Sequence, residues 1–240
     1  MGKTPPIFPR HSPAGLHDSG QRERQRALRQ GGAALPDGEL MRFSVVMAGL
    51  VGLMLAGCVQ PAASTEPVVP EALPLMRWDH RPEASQWTEA TLATVSQYDA
   101  ALAGQVPADV ANWCPGYATA SLEDRRAFWV AMFSALAKHE STWNPAAAGG
   151  GGRWIGLTQI SPATARQYGC EATSVAELKD GAANLACAVR IAAAQVGRDG
   201  LVAGGGNRGM GRDWAPFRAA SKRADMAGWV SDQAYCQADL

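Results

Sequence analysis

The chain has 240 residues, with 22 Lys plus Arg balanced by 22 Asp plus Glu, which leaves room for one domain of ordinary size and no net charge to draw it to a polyanion. No basic run is dense enough for a nucleic-acid stripe, and no aromatic residues interleave with basic ones in the RNA-binding manner, so nucleic acid is excluded as an expected partner. Residues 1–40 are rich in Arg, Pro, Gly and Gln without apolar periodicity; they are expected to be a mis-called start or a disordered extension with no fold.

From Met41 one positive charge, Arg42, precedes an apolar run from Phe43 to Leu55, and the segment closes on Leu55-Ala56-Gly57-Cys58. These are the n-region and h-region of a secretory signal, too short for a comfortable membrane span. The ending resembles the bacterial lipobox, in which the chain is cut before the cysteine and a lipid is attached to its sulfur. Residues 41–57 are therefore expected to be a lipoprotein signal, and Cys58 the lipidation site and membrane anchor. The expected location is the periplasmic face of a bacterial membrane, the outer membrane first. Residues 58–85 open with repeated Pro among Ala, Ser and Thr, which suits an extended tether ahead of a folded domain at 86–240.

With Cys58 set aside, Cys114, Cys170, Cys187 and Cys236 remain, an even number in an oxidising compartment. Four cysteines allow three pairings. The favoured one joins Cys170 to Cys187 across a short local loop and Cys114 to Cys236 across the domain ends. No spacing is Cys-x-x-Cys, so zinc is disfavoured and no metal site is expected.

Periodicity places helices near 87–103, 121–140, 162–168, 180–197, 212–219 and 221–235, with a short strand or hairpin in the glycine-rich region. Ser121 is a good N-cap, with Asp124 at the capping-box position. Beyond it Phe128, Trp129, Met132, Phe133 and Leu136 make one apolar stripe, and the next step of four lands on Glu140. A carboxyl against an apolar wall is desolvated and its pKa rises, which suits a proton donor; a glutamate frayed into water at a helix end is the alternative. Trp143 and Asn144-Pro145 end the helix. Gly149 to Gly152 follow as a loop. Then Gly156-Leu157-Thr158-Gln159-Ile160 forms a short extended stretch before Ser161-Pro162 starts the next helix. The Gln159 amide, both donor and acceptor, suits the hydroxyls and N-acetyl groups of amino sugars.

Glu140-Ser141 after an apolar helix, followed by Gly156-Leu157-Thr158-Gln159-Ile160, resembles the signature of the lytic transglycosylase family with the soluble-lytic-transglycosylase (SLT) domain. The resemblance runs on through Tyr168-Gly169-Cys170, Asn184 to Ile191, Arg208-Gly209 and Trp214, and back to Cys114-Pro115-Gly116-Tyr117, so it is strongest over 114–236. Thr158 stands where the family usually has Met. The family's Ala-Tyr-Asn motif is missing; the corresponding region is Gly204 to Trp214, where Asn207, Arg208 and Trp214 are candidates for its role, Trp214 being also a candidate for core packing.

The resemblance implies a mainly α, lysozyme-like (goose-type-lysozyme/SLT) domain that acts on peptidoglycan glycan strands without a cofactor. It implies that Glu140 is the catalytic acid, with Ser141, Gly156, Thr158, Gln159, Asn207, Arg208 and Trp214 on the substrate side. In this family the acid protonates the oxygen between N-acetylmuramic acid and N-acetylglucosamine. The same group then draws the proton from the muramic 6-hydroxyl, closing a 1,6-anhydro ring, so the enzyme is a lyase. Ordinary glycosidases need a second carboxylate; after Glu140 the next acidic residue is Glu171, beyond the second motif. A hydrolytic muramidase and a non-catalytic peptidoglycan-binding lipoprotein of the same fold are the alternatives. Other chemistries fail on spacing. His139-Glu140 lacks the second His of His-Glu-x-x-His, there is no Gly-x-Ser-x-Gly, and the glycine runs lack the Gly-Lys-Ser/Thr ending of a phosphate loop.

Overall fold

The computed structural model describes residues 72–237. The expected signal, the expected lipidation site Cys58 and the part of the expected tether up to residue 71 lie outside the described residues. Five helices carry the domain: α1 (Ala84–Gln97), α2 (Leu122–Ser141), α3 (Pro162–Gln167), α4 (Gly181–Asp199) and α5 (Ala220–Ser231). One hairpin interrupts them, β1 (Ala148–Gly149) pairing antiparallel with β2 (Trp154–Ile155), with Ala148 opposite Ile155 and Gly149 opposite Trp154. The fold is mainly helical, as expected. Among the described residues no helix is long and apolar enough to cross a membrane.

The helix starts follow from local chemistry. Ser121 accepts a hydrogen bond from the Asp124 amide (3.1 Å), Ser161 from Thr164 (3.0 Å) and Asp180 from Ala183 (2.8 Å), each satisfying one orphan N–H of a first turn. Helix α2 is the centre of the domain. Rather than presenting one stripe, it is buried without a break from Ala127 to Ala137, because α1 and α5 pack on it and so do the turns at 215–218 and 234–236. The alanines and Ser134 between the large side chains let those neighbours come close. An all-round buried helix reads in sequence as a stripe only where its residues are large.

The folded domain begins earlier than the boundary drawn at residue 86. Met76 and Trp78 are buried, the Trp78 amide donates to Ser134 Oγ (3.1 Å), and its indole N–H donates to Thr88 Oγ1 (2.9 Å). Helix α1 starts at Ala84 and ends at Gln97, short of the expected 103, where the chain turns back to bury Leu102 and Ala103. The helix expected over 212–219 is instead two 3-10 turns, Gly209–Arg212 and Ala215–Arg218, since Pro216 has no amide to continue an α ladder. Helix α5 stops at Ser231, and Ala234–Cys236 is a separate 3-10 turn. The cysteines pair Cys114–Cys236 and Cys170–Cys187.

Candidate active site

Glu140 occupies the last turn of α2, next to Ser141, where continuous burial gives way to partial exposure. Burial is the larger influence on its carboxyl and raises its pKa from 4.5 to about 7; Lys222 and Arg218 pull it back down. Both cations come from beyond the chain reversal at 215–219, Arg218 ending a 3-10 turn and Lys222 in the first turn of α5. No carboxylate is among the groups that shift Glu140. Among the described residues no hydrogen bond engages its carboxyl, which leaves the proton free to be given away.

The helix end that carries Glu140 is tightly fixed. Thr142 takes a left-handed conformation (φ 53°), and its amide donates to the carbonyls of Ala137 and Lys138. The Trp143 indole N–H donates to the Ser134 carbonyl (2.9 Å). On the side of α5, Asp225 gathers three partners: Arg77 bidentately (2.7 and 2.9 Å), Lys138 (3.0 Å) and His139 Nε2 (2.7 Å). The Arg77 guanidinium holds the Asp225 carboxyl well below the usual carboxylate range. Burial keeps His139 below its ordinary value although Asp225 opposes this.

The second motif is joined to the first through Ser141. Its hydroxyl lies 2.9 Å from the Leu157 carbonyl and 3.2 Å from that of Ala137, so it donates between the two and ties the end of α2 to the turn at 156–160. Gly156 in that turn has φ +80°, and a Cβ there would lie 2.2 Å from the Leu178 carbonyl oxygen and 2.3 Å from Asn184 Nδ2. Thr158 is fully buried; its amide (2.9 Å) and hydroxyl (2.7 Å) both donate to Asn184 Oδ1. Its hydroxyl therefore faces the protein interior, not a sugar. The Gln159 amide is also engaged, Oε1 accepting from Gly149 N (3.1 Å) and Nε2 donating to the Gly156 carbonyl (2.9 Å). It clamps the hairpin onto the turn, itself at φ 53°. Trp214 is buried against Phe133, and its indole N–H donates to the Thr158 carbonyl (2.9 Å); of its two candidate roles, this is core packing.

Ser141, Gly156, Thr158, Gln159 and Trp214 thus converge on one turn, mostly as its supports. Asn207 and Arg208 are exposed on the segment between two 3-10 turns, and among the described residues no side-chain hydrogen bond joins them to the turn at 156–160 or to Glu140. Sequence reasoning missed Asn184, whose two amide hydrogens also reach the carbonyls of Ile155 and Leu178 (3.0 Å each). The available signal was a poor helix former set next to the apolar Leu185 near the start of α4. Arg218, Lys222 and Asp225 left no motif at all. A cavity of about 840 Å³ lies elsewhere: Leu73, Leu92, Arg126, Ala127 and Tyr235 line it near the start of α2. Thirteen helical steps separate Ala127 from Glu140, roughly 20 Å.

Residues 118–227 match the family described as the transglycosylase SLT domain. Three solved structures match the chain. A glutamate-to-glutamine mutant of Bd0314 DslA is 26% identical with a TM-score of 0.64, and its wild-type form 2 is 26% identical with a TM-score of 0.63. A second glutamate-to-glutamine mutant of that protein is 25% identical with a TM-score of 0.61. Each match covers 70% of this chain and 100% of the other. No curated protein matches the sequence. Residues 118–227 are thus similar to the transglycosylase SLT domain, on a mainly helical, lysozyme-like fold.

Proposed function

We propose that this protein is a lipid-anchored lytic transglycosylase that cleaves the bond between N-acetylmuramic acid and N-acetylglucosamine in peptidoglycan, with Glu140 as its single acid and base. The observation that carries the reading is the state of Glu140. Its carboxyl is held protonatable at about neutral pH by burial, and the charged groups that act on it are both cations. A second catalytic carboxylate within about 5–10 Å, as hydrolytic glycosidases place it, would push the pKa up by like-charge repulsion; no acidic group contributes in that way.

In the proposed reaction the Glu140 carboxylic acid gives its proton to the glycosidic oxygen as the bond to the muramic C1 breaks. The substrate's own N-acetyl group stabilises the positive charge at C1. The Glu140 carboxylate then removes the proton from the muramic 6-hydroxyl, whose oxygen bonds to C1 and closes the 1,6-anhydro ring. Glu140 ends protonated, as it began. Lys222 and Arg218 support the carboxylate stage, and the apolar wall of α2 supports the acid stage. The anchor at Cys58 and the tether behind it would hold the domain at the periplasmic face of the outer membrane, within reach of the glycan.

Digestion of purified sacculi in water labelled with heavy oxygen tests the reaction. The expected products are anhydro-muropeptides, one water lighter than hydrolysis products and free of label at the muramic end. Label at that position would make the enzyme a muramidase, and sacculi left intact would make it a binder.

A further inference from the structure

The chain holds eight tryptophans, all within the described residues, and Trp154 alone among them is exposed, at 44% of its surface. Its strand neighbour Ile155 is fully buried, so alternation along β2 sends Trp154 outward. An outward strand position does not by itself call for an aromatic; a polar residue would serve there equally well. Yet the ring is given a seat. The backbone of Gly150 lies against its six-membered ring, where a Cβ would stand 2.2 Å from Cζ3, and the Arg153 guanidinium lies 5.5 Å from a ring centroid. Gly150 itself adopts φ +57°, so a glycine provides both the turn and the space for the indole.

The hairpin and the helix end that carries Glu140 are both bonded to the turn at 156–160. Two residues beyond Trp154 is Gly156, and the carbonyl of the next residue, Leu157, accepts from Ser141, the neighbour of Glu140. The Gln159 clamp on Gly149 fixes the opposite strand of the hairpin to the same turn. The indole is thus a large, outward, preorganised apolar plate on the hairpin joined to the turn that Ser141 holds, with the Arg153 guanidinium over its ring. Pyranose rings present an apolar face of C–H groups rimmed by hydroxyls, and an aromatic plate with a flanking donor matches both parts.

We propose that Trp154 is a substrate-binding residue on which an N-acetylhexosamine ring of the glycan strand stacks beside Glu140, with Arg153 donating to the ring's oxygen substituents. This rests on the reading of the Glu140 site as glycan-cleaving, so the test separates the two. Co-sedimentation with purified sacculi is measured for Glu140→Gln, Glu140→Gln/Trp154→Ala and Glu140→Gln/Trp154→Phe, each checked by thermal melting, and muropeptide release is followed for the wild type and Trp154→Ala. We expect the alanine change to weaken binding about tenfold, equivalent to ~1.4 kcal/mol, to raise KM more than it lowers kcat, and the phenylalanine change to recover part of the loss. Equal binding by Glu140→Gln and its alanine double variant, with KM unchanged, overturns the platform and leaves the proposed reaction standing. If Glu140→Gln does not sediment and the wild type releases no muropeptide, the proposed reaction fails and the platform fails with it.

Discussion

At Glu140 burial and two cations act in opposite directions, and burial prevails, so the carboxyl titrates at about 7 instead of 4.5. The native state therefore holds a proton that the unfolded chain has released throughout that interval. Stability contributed by the protonated form is present below the unfolded pKa and is lost as pH rises through the folded one. Activity has the same sign, because the first step needs the acid form. Two readouts follow for Glu140→Gln, which stays neutral at every pH. It should abolish muropeptide release, and at about pH 8 it should melt above the wild type, the difference vanishing below about pH 5. The wild type's kcat/KM should fall as pH rises through about 7. A variant that keeps most of its turnover, or that melts below the wild type at pH 8, would remove Glu140 from its role.

The turn at 156–160 shows what the elements around a site must supply. It has too few residues to satisfy its own backbone, and its polar groups are buried, so partners come from three elements. Asn184 of α4 makes two hydrogen bonds to Thr158 and one each to the carbonyls of Ile155 and Leu178, Ser141 of α2 donates to the turn, and Trp214 donates from the C-terminal segment. A buried group left without its partner costs about 1–3 kcal/mol. Asn184→Leu keeps the volume but strands the Thr158 amide and the carbonyl of Leu178. We expect it to lower unfolding free energy by about 3–5 kcal/mol in urea titration and to reduce kcat, since the turn borders Glu140. A loss under ~1 kcal/mol would mean that the turn is held by other means.

For the whole molecule, covalent links do what a modest core cannot do alone. Cys114–Cys236 joins residues 122 apart and brings the Gly116 amide to the Cys236 carbonyl at 2.9 Å, while Cys170–Cys187 fixes the segment after α3 to the middle of α4. By loop-closure entropy the longer link stabilises by up to about 5 kcal/mol. Disulfides of this kind form and persist in oxidising compartments. The expected anchor is tested at the same scale. Cys58→Ser should move the protein from the membrane fraction to the soluble periplasm or block its processing, and the native mass should show acyl groups with no residue before Cys58. A native N-terminus at Met1 without lipid would refute it.

The sequence alone determined the helical class, the cap residues Ser121 and Ser161, the favoured cysteine pairing and the placement of Glu140 at the end of an apolar helix. These depend on short-range periodicity and on residue types whose conformational roles are local. It read the 212–219 segment as α-helix because apolar spacing outweighed Pro216, and it ended the tether too late because Met76 and Trp78 are packed by residues far along the chain. Only the tertiary structure decided that Thr158 and Trp214 support the turn from within, that Asn184 braces it, and that Arg218 and Lys222 act on Glu140. Each of those facts is a contact between elements distant in sequence, and nothing local in the residues records it. Trp154 belongs to the same class, since an exposed tryptophan and a buried one are spelled alike until the strand beneath it is placed.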